Sequence, residues 1–379
     1  MRVSLFPDLR IENWKSMDLY ADRLATWLPA VASDGEVRSA SVKPSRWIDR
    51  YFRLPYLNRA LNDRFYSRYV VYPRAARRLQ GDINHVLDHS YGHLLRVLDP
   101  QRTIVTVHDL YPFYVINQGG GTLREQARTR LLRWVMDHAL RARWLIVPST
   151  FIRQELLRLT NYPVARISVI HLGVDEAFFR PVDSLTRWRF QDELGVPGNG
   201  MLLLHVGSCD ERKNITLLLH VLKILALDMK TNTYLVQVGG QFSEDQLSLI
   251  RQLGLASRVR QRPRVSAEEL MYTYHVADVL LLPSTYEGFG LTALEAMASG
   301  TPVIASDIGA LRELVGDAGR LITPTDPAQM TSAVIEVLTD DSLRDQLVEN
   351  GRARAAAFSW AETARQTWAV YERVYGERV

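Results

Sequence analysis

Two carboxylates with seven residues between them, Glu287 and Glu295, are the first candidates for chemistry. They lie in PSTYEGFGLTALEAMASGTPVIASDIGA, positions 283–310, which predicts a strand end, a glycine-containing turn and a helix from Leu291. Backbone N–H groups at a helix start favour a diphosphate, and carboxylates accept hydrogen bonds from hydroxyl groups. The two acids could therefore hold the sugar and the ribose of a nucleotide sugar. The alternative is a helix N-terminus with one favourable acid and one solvated glutamate.

A basic pair, Arg212 and Lys213, follows a second strand-and-turn pattern in VGSCDERKN at positions 206–214. The planar fork of Arg and the compact charge of Lys can both neutralise phosphate oxygens. An isolated Arg-Lys pair is more often part of a solvated turn. Its assignment to phosphate binding therefore depends on the other motifs of the chain.

Histidines suggest two further sites. His108 ends a predicted strand in TIVTVHDLYPF, positions 103–113, and the carboxyl end of a parallel strand faces the ligand crevice. A structural histidine held by a neighbouring loop is the alternative.

His85, His89 and His93 are spaced four residues apart, as zinc ligands on one helix would be. Because DINHVLD predicts a strand there, we expect no zinc and assign no metal site.

The elements that must position these residues are short apolar strands alternating with amphipathic helices, a pattern typical of parallel sheets flanked by helices. The first half predicts strands at 2–6, 83–87, 103–107, 144–148 and 167–170, and helices at 17–28 and 122–140. The second half predicts strands at 201–207, 234–240, 279–284 and 302–306, and helices at 216–227, from 243, at 291–299 and at 327–338.

The domain organisation follows from length and from one change in composition. Residues 187–200, RWRFQDELGVPGNG, turn from polar to Gly- and Pro-rich and predict a linker. A chain of 379 residues can form two α/β domains, each with its own core. We therefore predict two doubly wound domains, with the ligand site in the cleft between them.

Composition excludes several classes of protein. Cys209 is the one cysteine, which excludes a disulfide framework and a multi-cysteine zinc site. No run approaches the roughly 18 apolar residues of a membrane-spanning helix. The start, MRVSLFPDLRIENW, becomes polar too early for a signal peptide. We therefore expect a cytoplasmic protein.

Positive charge is concentrated in the first half. The net charge is +4, but residues 1–180 carry 27 basic and 17 acidic side chains, and the remainder carries 19 and 25. Residues 46–78 hold nine Arg and eight aromatic side chains. This segment fits a helix pair with inward aromatics, or a surface for an anionic membrane or a phosphorylated acceptor. Base stacking is a third possibility, but we predict no nucleic-acid partner.

The Glu-x7-Glu pattern, with GFGL inside it and EAMASGTPVIAS after it, closely resembles the family-4 retaining glycosyltransferases of the GT-B fold. VGSCDERKN resembles the family's element that holds the donor diphosphate. ISVIHLGVD, positions 167–175, resembles the segment before the linker, where we assign His171 no role. FSWAETARQTWAVYERV, positions 358–374, resembles the closing helix. The resemblance covers nearly all of residues 80–375.

This resemblance implies two Rossmann-like domains facing a central cleft. It implies an acceptor-binding domain at 1–185, a nucleotide-sugar-binding domain at 196–357 and a helix at 358–379 that crosses back. Catalytic roles are implied for His108, Arg212, Lys213 and Glu287. Donor-binding roles are implied for Gly207, Ser208, Arg212, Lys213, Val265, Glu287, Gly288, Phe289, Gly290, Leu291 and Glu295. Ser208 departs from the arginine that many members have there, and Trp14-Lys15-Ser16-Met17 replaces a Gly-rich loop.

The implied activity is transfer of a hexose from a UDP- or GDP-sugar to a saccharide or lipid-linked acceptor, with retention at the anomeric carbon. Front-face attack without a metal ion or cofactor is expected, with Arg212, Lys213 and the amides of 288–291 in the place of Mg²⁺. Such an enzyme would serve polysaccharide biosynthesis in the cytoplasm or at the inner membrane face.

Other activities remain as alternatives. One is a catalytically silent homologue that binds nucleotide or acts as a scaffolding subunit. Another enzyme of the same architecture, an epimerase or a phosphorylase, is disfavoured by the 283–310 run. A phosphorylase would also need a lysine for pyridoxal, and none of the five lysines is a convincing candidate.

Overall fold

The computed structural model describes residues 1–32, 35–40, 59–117, 123–323 and 325–377. The chain divides into two units. Unit 1 consists of Met1–Gly173 and Trp360–Val379, and unit 2 consists of Val174–Ser359.

Unit 1 contains a parallel sheet of six strands in the order β2-β1-β3-β4-β5-β6. Three inner strands, at 83–86, 103–106 and 144–147, are buried along their whole length, as a sheet covered by helices on both faces requires. The strands are β1 (Arg2–Phe6), β2 (Glu36–Ser39), β3 (Ile83–Val86), β4 (Thr103–Thr106), β5 (Trp144–Val147) and β6 (Ile167–Val169).

The helices of unit 1 alternate with these strands, and the last returns from the end of the chain to pack against the first. They are α1 (Lys15–Val31), α2 (Arg59–Tyr66), α3 (Tyr72–Arg78), α4 (Tyr111–Asn117), α5 (Leu123–Ala139), α6 (Thr150–Leu159) and α15 (Trp360–Gly376). A π-helical turn, Ser67–Val71, joins α2 to α3. A 3₁₀ helix, His89–Arg96, follows β3.

Unit 2 contains a second parallel sheet, ordered β12-β11-β10-β7-β8-β9. From the other edge this is the doubly wound order 3-2-1-4-5-6, whose direction reverses between β7 and β10. The strands are β7 (Met201–Gly207), β8 (Thr233–Gly239), β9 (Val259–Arg262), β10 (Val279–Leu282), β11 (Val303–Ser306) and β12 (Arg320–Ile322).

The described part of unit 2 contains eight α-helices. They are α7 (Ser184–Glu193), α8 (Ile215–Lys223), α9 (Glu244–Gln252), α10 (Ala267–Val276), α11 (Leu291–Ser299), α12 (Gly309–Val315), α13 (Pro327–Thr339) and α14 (Asp341–Ala356). Of these, α8, α9, α13 and α14 contribute buried apolar residues to one core cluster with this sheet. A short 3₁₀ turn, Glu211–Lys213, precedes α8.

The predicted class, two doubly wound α/β domains, is confirmed by the two parallel sheets. The predicted linker is wrong in part, because 187–200 includes most of α7, whose cap is Asp183. The boundaries also differ from the predicted 185 and 357. Val174 pairs with Ser359, and the Val174 N–H donates to the Phe358 carbonyl oxygen. The chain therefore enters unit 2 at Val174 and leaves it after Ser359.

The basic and aromatic segment 46–78 is described only in part, since 46–58 lie outside the described residues. Its remainder forms α2, the π turn and α3. Phe65 is 55% exposed, whereas Tyr72 is fully buried. Aromatic side chains of this segment therefore face both the core and the solvent.

The closing helix is fixed to the sheet of unit 1 by a buried histidine. His85 of β3 binds the Tyr371 hydroxyl at 2.7 Å through Nδ1 and the Thr106 hydroxyl at 2.8 Å through Nε2. Burial, together with nearby His108, lowers the pKa of His85 to about 3, so its ring is neutral. Tyr371 and His85 are both fully buried, and their contact joins α15 to β3.

Removal of the Tyr371 hydroxyl tests this contact. Tyr371→Phe leaves His85 Nδ1 buried without a partner, and we expect a loss of about 1–3 kcal/mol in the free energy of unfolding. Tyr375→Phe, an exposed tyrosine on the same helix, is the matched control and should change it by less than about 0.5 kcal/mol. Urea unfolding measures both, and equal values for the two variants would contradict the assignment.

Candidate functional site

The loops after β7 and β10 lie side by side at the point where the strand order of unit 2 reverses. Ligands of doubly wound sheets bind at this point, outside the carboxyl ends of the strands. The two loops are joined by their backbones, since the Thr285 N–H donates to the Arg212 carbonyl oxygen at 2.8 Å. Arg212, Lys213 and Glu287, predicted from separate motifs, are therefore brought together.

A buried ion pair connects these loops. Lys213 Nζ donates to Glu287 Oε1, while Arg212 lies 3.7 Å from the other carboxylate oxygen. Only 6% of Lys213 and 8% of Glu287 are exposed. Ser284 completes the arrangement by donating its hydroxyl to Glu287 Oε1 at 2.9 Å. The carboxylate is thus oriented by three side chains.

The charge state of Glu287 follows from these neighbours. Burial alone would raise the pKa of this carboxyl. The Lys213 ammonium and the Arg212 guanidinium outweigh burial and hold the pKa of Glu287 below its ordinary value. The group at neutral pH is therefore two cations and one anion, with one positive charge in excess.

The turn from Glu287 to Gly290 ends at the start of α11. Gly290 is the N-cap, has φ +103° and supplies no side-chain cap. A Cβ at this position would lie 2.8 Å from Leu311 Cδ2, so both the backbone conformation and the space require glycine. Gly288 and Phe289 are buried between Glu287 and this cap, and Leu291 begins the helix. The uncapped N-terminus of α11 favours an anion.

Gly207 ends β7 with φ +149° and lies against Lys213, because a Cβ there would be 3.5 Å from Lys213 Cε. Its carbonyl oxygen accepts from the Gln237 amide at 2.9 Å. The next residue, Ser208, donates its hydroxyl hydrogen to Asp210 at 2.7 Å. In this structure the Ser208 hydroxyl stabilises its own loop.

Glu295 lies one turn inside α11 and forms a separate contact. Its Oε2 accepts from the Tyr274 hydroxyl at 2.7 Å, and only 6% of Glu295 is exposed. Burial raises the pKa of Glu295 to about 7, against the effect of this hydrogen bond. The carboxyl therefore keeps its proton to a higher pH than an ordinary glutamic acid does. Tyr274 is itself fully buried on α10.

The two remaining donor-binding candidates of unit 2, Val265 and Phe289, lie in different loops. Val265 is half-buried in the loop after β9, at the same edge of the sheet but two strands from β7. Phe289 packs edge-on against Phe358, with ring centroids 6.1 Å apart. Phe289 therefore packs against the segment that follows α14.

His108 belongs to unit 1, where it follows β4. Its Nε2 donates to the Leu87 carbonyl oxygen at 2.8 Å, and its ring lies edge-on to Tyr20 at 4.7 Å. Burial lowers the pKa of His108, which leaves a neutral ring. Its Nδ1 is an acceptor without a hydrogen-bond partner among the described residues. The contact with a neighbouring loop, which the structural alternative predicts, is therefore present, and Nδ1 is buried without a described partner.

Sequence reasoning missed two side chains that support the candidate acids. Ser284 stands beside Glu287 in the motif itself, at the end of β10, so its place directly before the turn was a readable signal. Tyr274 gave no such signal. It lies on α10, which the apolar pattern did not predict, and reaches Glu295 across 21 positions of the chain.

In the described ranges, no three His, Cys, Asp or Glu side chains are grouped as metal ligands. The histidines spaced four residues apart have separate partners. His85 binds Tyr371 and Thr106, whereas His93 binds the Arg68 carbonyl oxygen. Among the described helices, none combines the length and apolar character that crossing a membrane requires.

Two family models match the chain. The model for Glycosyltransferase Family 4 matches residues 27–178, and the model for Glycosyl transferases group 1 matches residues 186–354. The second range contains both candidate loops of unit 2, and the first contains His108.

Curated relatives carry related names. The chain is 31% identical over 277 residues to O-antigen chain mannosyltransferase B of Escherichia coli, which covers 72% of this chain and 70% of that protein. It is 34% identical over 259 residues to a D-inositol 3-phosphate glycosyltransferase of Nocardioides sp., covering 64% of this chain and 56% of the relative. Against this second relative, the match spans little more than half of that protein's length.

Solved structures share the fold. Sucrose-phosphate synthase from Thermosynechococcus elongatus superposes with a TM-score of 0.75 at 22% identity, covering 100% of both chains. Anabaena Alr3699/HepE in complex with UDP-glucose gives 0.71 at 18% identity, covering 99% of this chain and 100% of that one. At these identities the likeness shows the GT-B fold alone.

The raised pKa of Glu295 predicts a pH-dependent stability. Between the ordinary pKa of 4.5 and about 7 the folded chain holds a proton that the unfolded chain has released, so this carboxyl destabilises the fold as pH rises through that range. Glu295→Gln keeps an acceptor for Tyr274 and removes the charge. We expect equal stability near pH 5 and a gain of up to about 3 kcal/mol at pH 8.

Urea unfolding of the nucleotide-free protein at several pH values measures this difference. Glu349→Gln, an exposed position on α14, is the matched control and should follow wild type throughout. A Glu295→Gln curve parallel to that of wild type would show that Glu295 ionises normally.

Proposed function

Because the chain belongs to the family-4 glycosyltransferases, we propose that it transfers a hexose from a UDP- or GDP-sugar, with retention, to a saccharide or lipid-linked acceptor. The observation that carries this proposal is the position of Arg212, Lys213 and Glu287 beside the uncapped start of α11. Cations and a helix N-terminus at one point of a doubly wound sheet are suited to a diphosphate.

Each end of the donor has a candidate partner in this arrangement. The diphosphate would lie against Arg212, Lys213 and the amides of 288–291, with Gly207 and Ser208 beside it. Glu295 would accept hydrogen bonds from the ribose, and Val265 would flank the base. Phe289, packed on Phe358, would support the turn.

Glu287 would exchange partners when the donor binds. In the free protein its carboxylate is held by Lys213 and Arg212. A diphosphate carries more negative charge and competes for the same cations. Once they turn to the phosphate oxygens, the Glu287 oxygens become acceptors for the hydroxyl groups of the sugar. The ion pair thus keeps both partners ordered before the donor arrives.

Front-face substitution is the reaction that we propose. The acceptor oxygen forms its bond to the anomeric carbon on the side from which the diphosphate leaves. The bond from that carbon to the phosphate oxygen breaks, and the acceptor proton passes to a departing phosphate oxygen. Arg212, Lys213 and the start of α11 stabilise the leaving charge, which is the task of Mg²⁺ in metal-dependent transferases. Nδ1 of His108 would accept a hydroxyl hydrogen of a bound sugar.

Contact with an anionic membrane through 46–78 is part of the proposal for a lipid-linked acceptor. Exposed Phe65 directly follows Arg64, whose side chain is 35% exposed, on the described part of this segment. An exposed aromatic ring next to a cation along the chain suits the headgroup region. The enzyme would then act at the inner face of the membrane. Sedimentation with anionic vesicles at low salt tests this, and loss of binding in Phe65→Ala would support it.

A nucleotide screen tests the donor site. Thermal shifts with UDP, GDP and ADP in the presence of EDTA are measured on wild type, Glu295→Ala and the control Glu349→Ala. We expect one nucleotide to stabilise wild type and the control but not Glu295→Ala. A shift that requires Mg²⁺ would reject metal independence. No shift with any nucleotide would favour a catalytically silent homologue.

Lys213→Ala tests the catalytic assignment. Loss of one electrostatic group at the leaving diphosphate is expected to lower kcat by about 10²–10³. Lys223→Ala on α8 is the matched lysine control and should keep full turnover. Turnover is measured as nucleotide release, and unfolding is followed separately because Lys213→Ala also leaves Glu287 with a weaker partner. Normal turnover in Lys213→Ala would reject the role of this lysine.

A further inference from the structure

A row of polar side chains crosses the sheet of unit 2 two residues before β7 ends. His205 of β7, Gln237 of β8 and Gln261 of β9 are partners in register, so their side chains share one face of the sheet. His205 and Gln237 are fully buried. The inner strands of parallel sheets normally carry apolar side chains, so a buried amide at the centre of this sheet requires an explanation.

The amide of Gln237 has one possible orientation. Its Nε2 donates to the Gly207 carbonyl oxygen at 2.9 Å and to the Val238 carbonyl oxygen at 3.2 Å. The opposite orientation would place Oε1 against these two oxygens. Oε1 instead accepts from Gln261 Nε2 at 3.4 Å, and the same Nε2 donates to the Gly240 carbonyl oxygen at 3.2 Å. The hydrogen bonds therefore run in one direction, from β9 through β8 to the carbonyl group that ends β7.

The Gly207 carbonyl is one of three that are held along the loop after β7. Gln246 of α9 donates to the Cys209 carbonyl oxygen at 3.0 Å, and the Thr285 N–H donates to that of Arg212 at 2.8 Å. The three donors belong to β8, α9 and the loop after β10, so the loop is fixed from three sides. The carbonyl held by β8 differs from the other two because it belongs to a glycine, which changes its backbone conformation most easily.

Gly207 permits more than one orientation of the peptide that joins it to Ser208. Its φ is +149°, and a Cβ there would lie 3.5 Å from Lys213 Cε, so this peptide borders the Lys213 side chain. The N–H and C=O of a trans peptide point in opposite directions. Because Gln237 holds the carbonyl oxygen, the Ser208 N–H points away from Gln237. Rotation of this peptide would put an oxygen in place of the N–H, and an oxygen there would repel a diphosphate.

We propose that Gln237 is a positioning residue of the donor site, whose amide holds the Gly207 carbonyl oxygen inside the sheet and keeps the Ser208 N–H directed to the diphosphate. Gln261 supports this role by fixing the amide. This inference rests on the proposed function, which places the diphosphate at the loop after β7. Since Gln237 is fully buried, it acts through Gly207 and not by touching the donor.

The first test measures how much the second phosphate of a nucleotide adds to its affinity. Gln237→Met removes the amide and keeps the length of the side chain. Titration calorimetry gives the Kd values of UMP, UDP, GMP and GDP. In the nucleotide series that wild type binds, we expect the variant to lower the ratio of monophosphate Kd to diphosphate Kd at least about fivefold, because the loop that faces the diphosphate loses its fixed orientation.

Gln252→Met, at an exposed glutamine of α9, is the matched control and should keep the wild-type ratio. A purely structural role of Gln237 would lower the Tm and weaken both nucleotides alike. An unchanged ratio in Gln237→Met would therefore overturn the inference.

Gln237→Glu makes the effect reversible within one variant. The introduced carboxyl has the shape of the amide, but it can donate to the Gly207 carbonyl oxygen only while it is protonated. Relative to wild type at each pH, we expect a ratio close to one another at pH 5 and at least about fivefold lower in the variant at pH 8.

The same pH dependence in wild type and Gln237→Glu would contradict the positioning role, even if Gln237→Met did not fold. Failure of wild type to bind any of the four nucleotides would instead reject the proposed function itself.

Discussion

The ion pair between Lys213 and Glu287 is the contact on which the organisation of unit 2 depends. A buried charge without a partner destabilises a protein strongly, so the backbone must place the two side chains within ion-pair distance of each other. Lys213 reaches its position from the loop after β7 and Glu287 from the loop after β10. These strands are neighbours although three helices and two strands separate them along the chain. The reversal of strand order is therefore what makes the pair possible.

The pair also explains why the surrounding loops are so constrained. The Thr285 N–H holds the Arg212 carbonyl oxygen, and the Ser284 hydroxyl holds Glu287. Gly290 takes a backbone conformation that places the start of α11 beside this group. Each contact reduces the freedom of a charged side chain before any ligand is present. In the proposed function, a diphosphate would meet cations that are already ordered, and little side-chain entropy would be lost on binding.

Much of this arrangement could be predicted from the sequence, because its parts are contiguous. The bounds of β7 and α11 agree with the predicted 201–207 and 291–299, since apolar runs and glycines mark both ends. Edge strands were missed for a physical reason. EVRS in β2 and VRQR in β9 are largely solvent-accessible and need no apolar run. The α7 helix was taken for a linker because SLTRWRFQDE buries none of its side chains.

Contacts across the chain could not be predicted in the same way. Tyr274 with Glu295 and Asp8 with Asp88 depend on which strands are neighbours, and periodicity carries no information on strand order. The resemblance supplied roles for single residues of known motifs, and it supplied no partners for them. Asp8 lies in the quoted start MRVSLFPDLRIENW, to which no site was assigned, and only its burial beside Asp88 draws attention to it.

Glu295 and Asp8 share one physical property, although they belong to different units. Burial is the first cause of the raised pKa of both carboxyl groups, so each destabilises the free protein when it ionises. A core position would be occupied more favourably by an amide or an apolar side chain at either site. Their positions at the carboxyl ends of parallel strands, or one turn into the helix that follows, are where hydroxyl-bearing ligands bind. Carboxyl groups that weaken the free protein are expected where selection for ligand binding has outweighed selection for stability. Glu295, which we propose as the ribose contact of unit 2, is thus marked by its burial as well as by its motif.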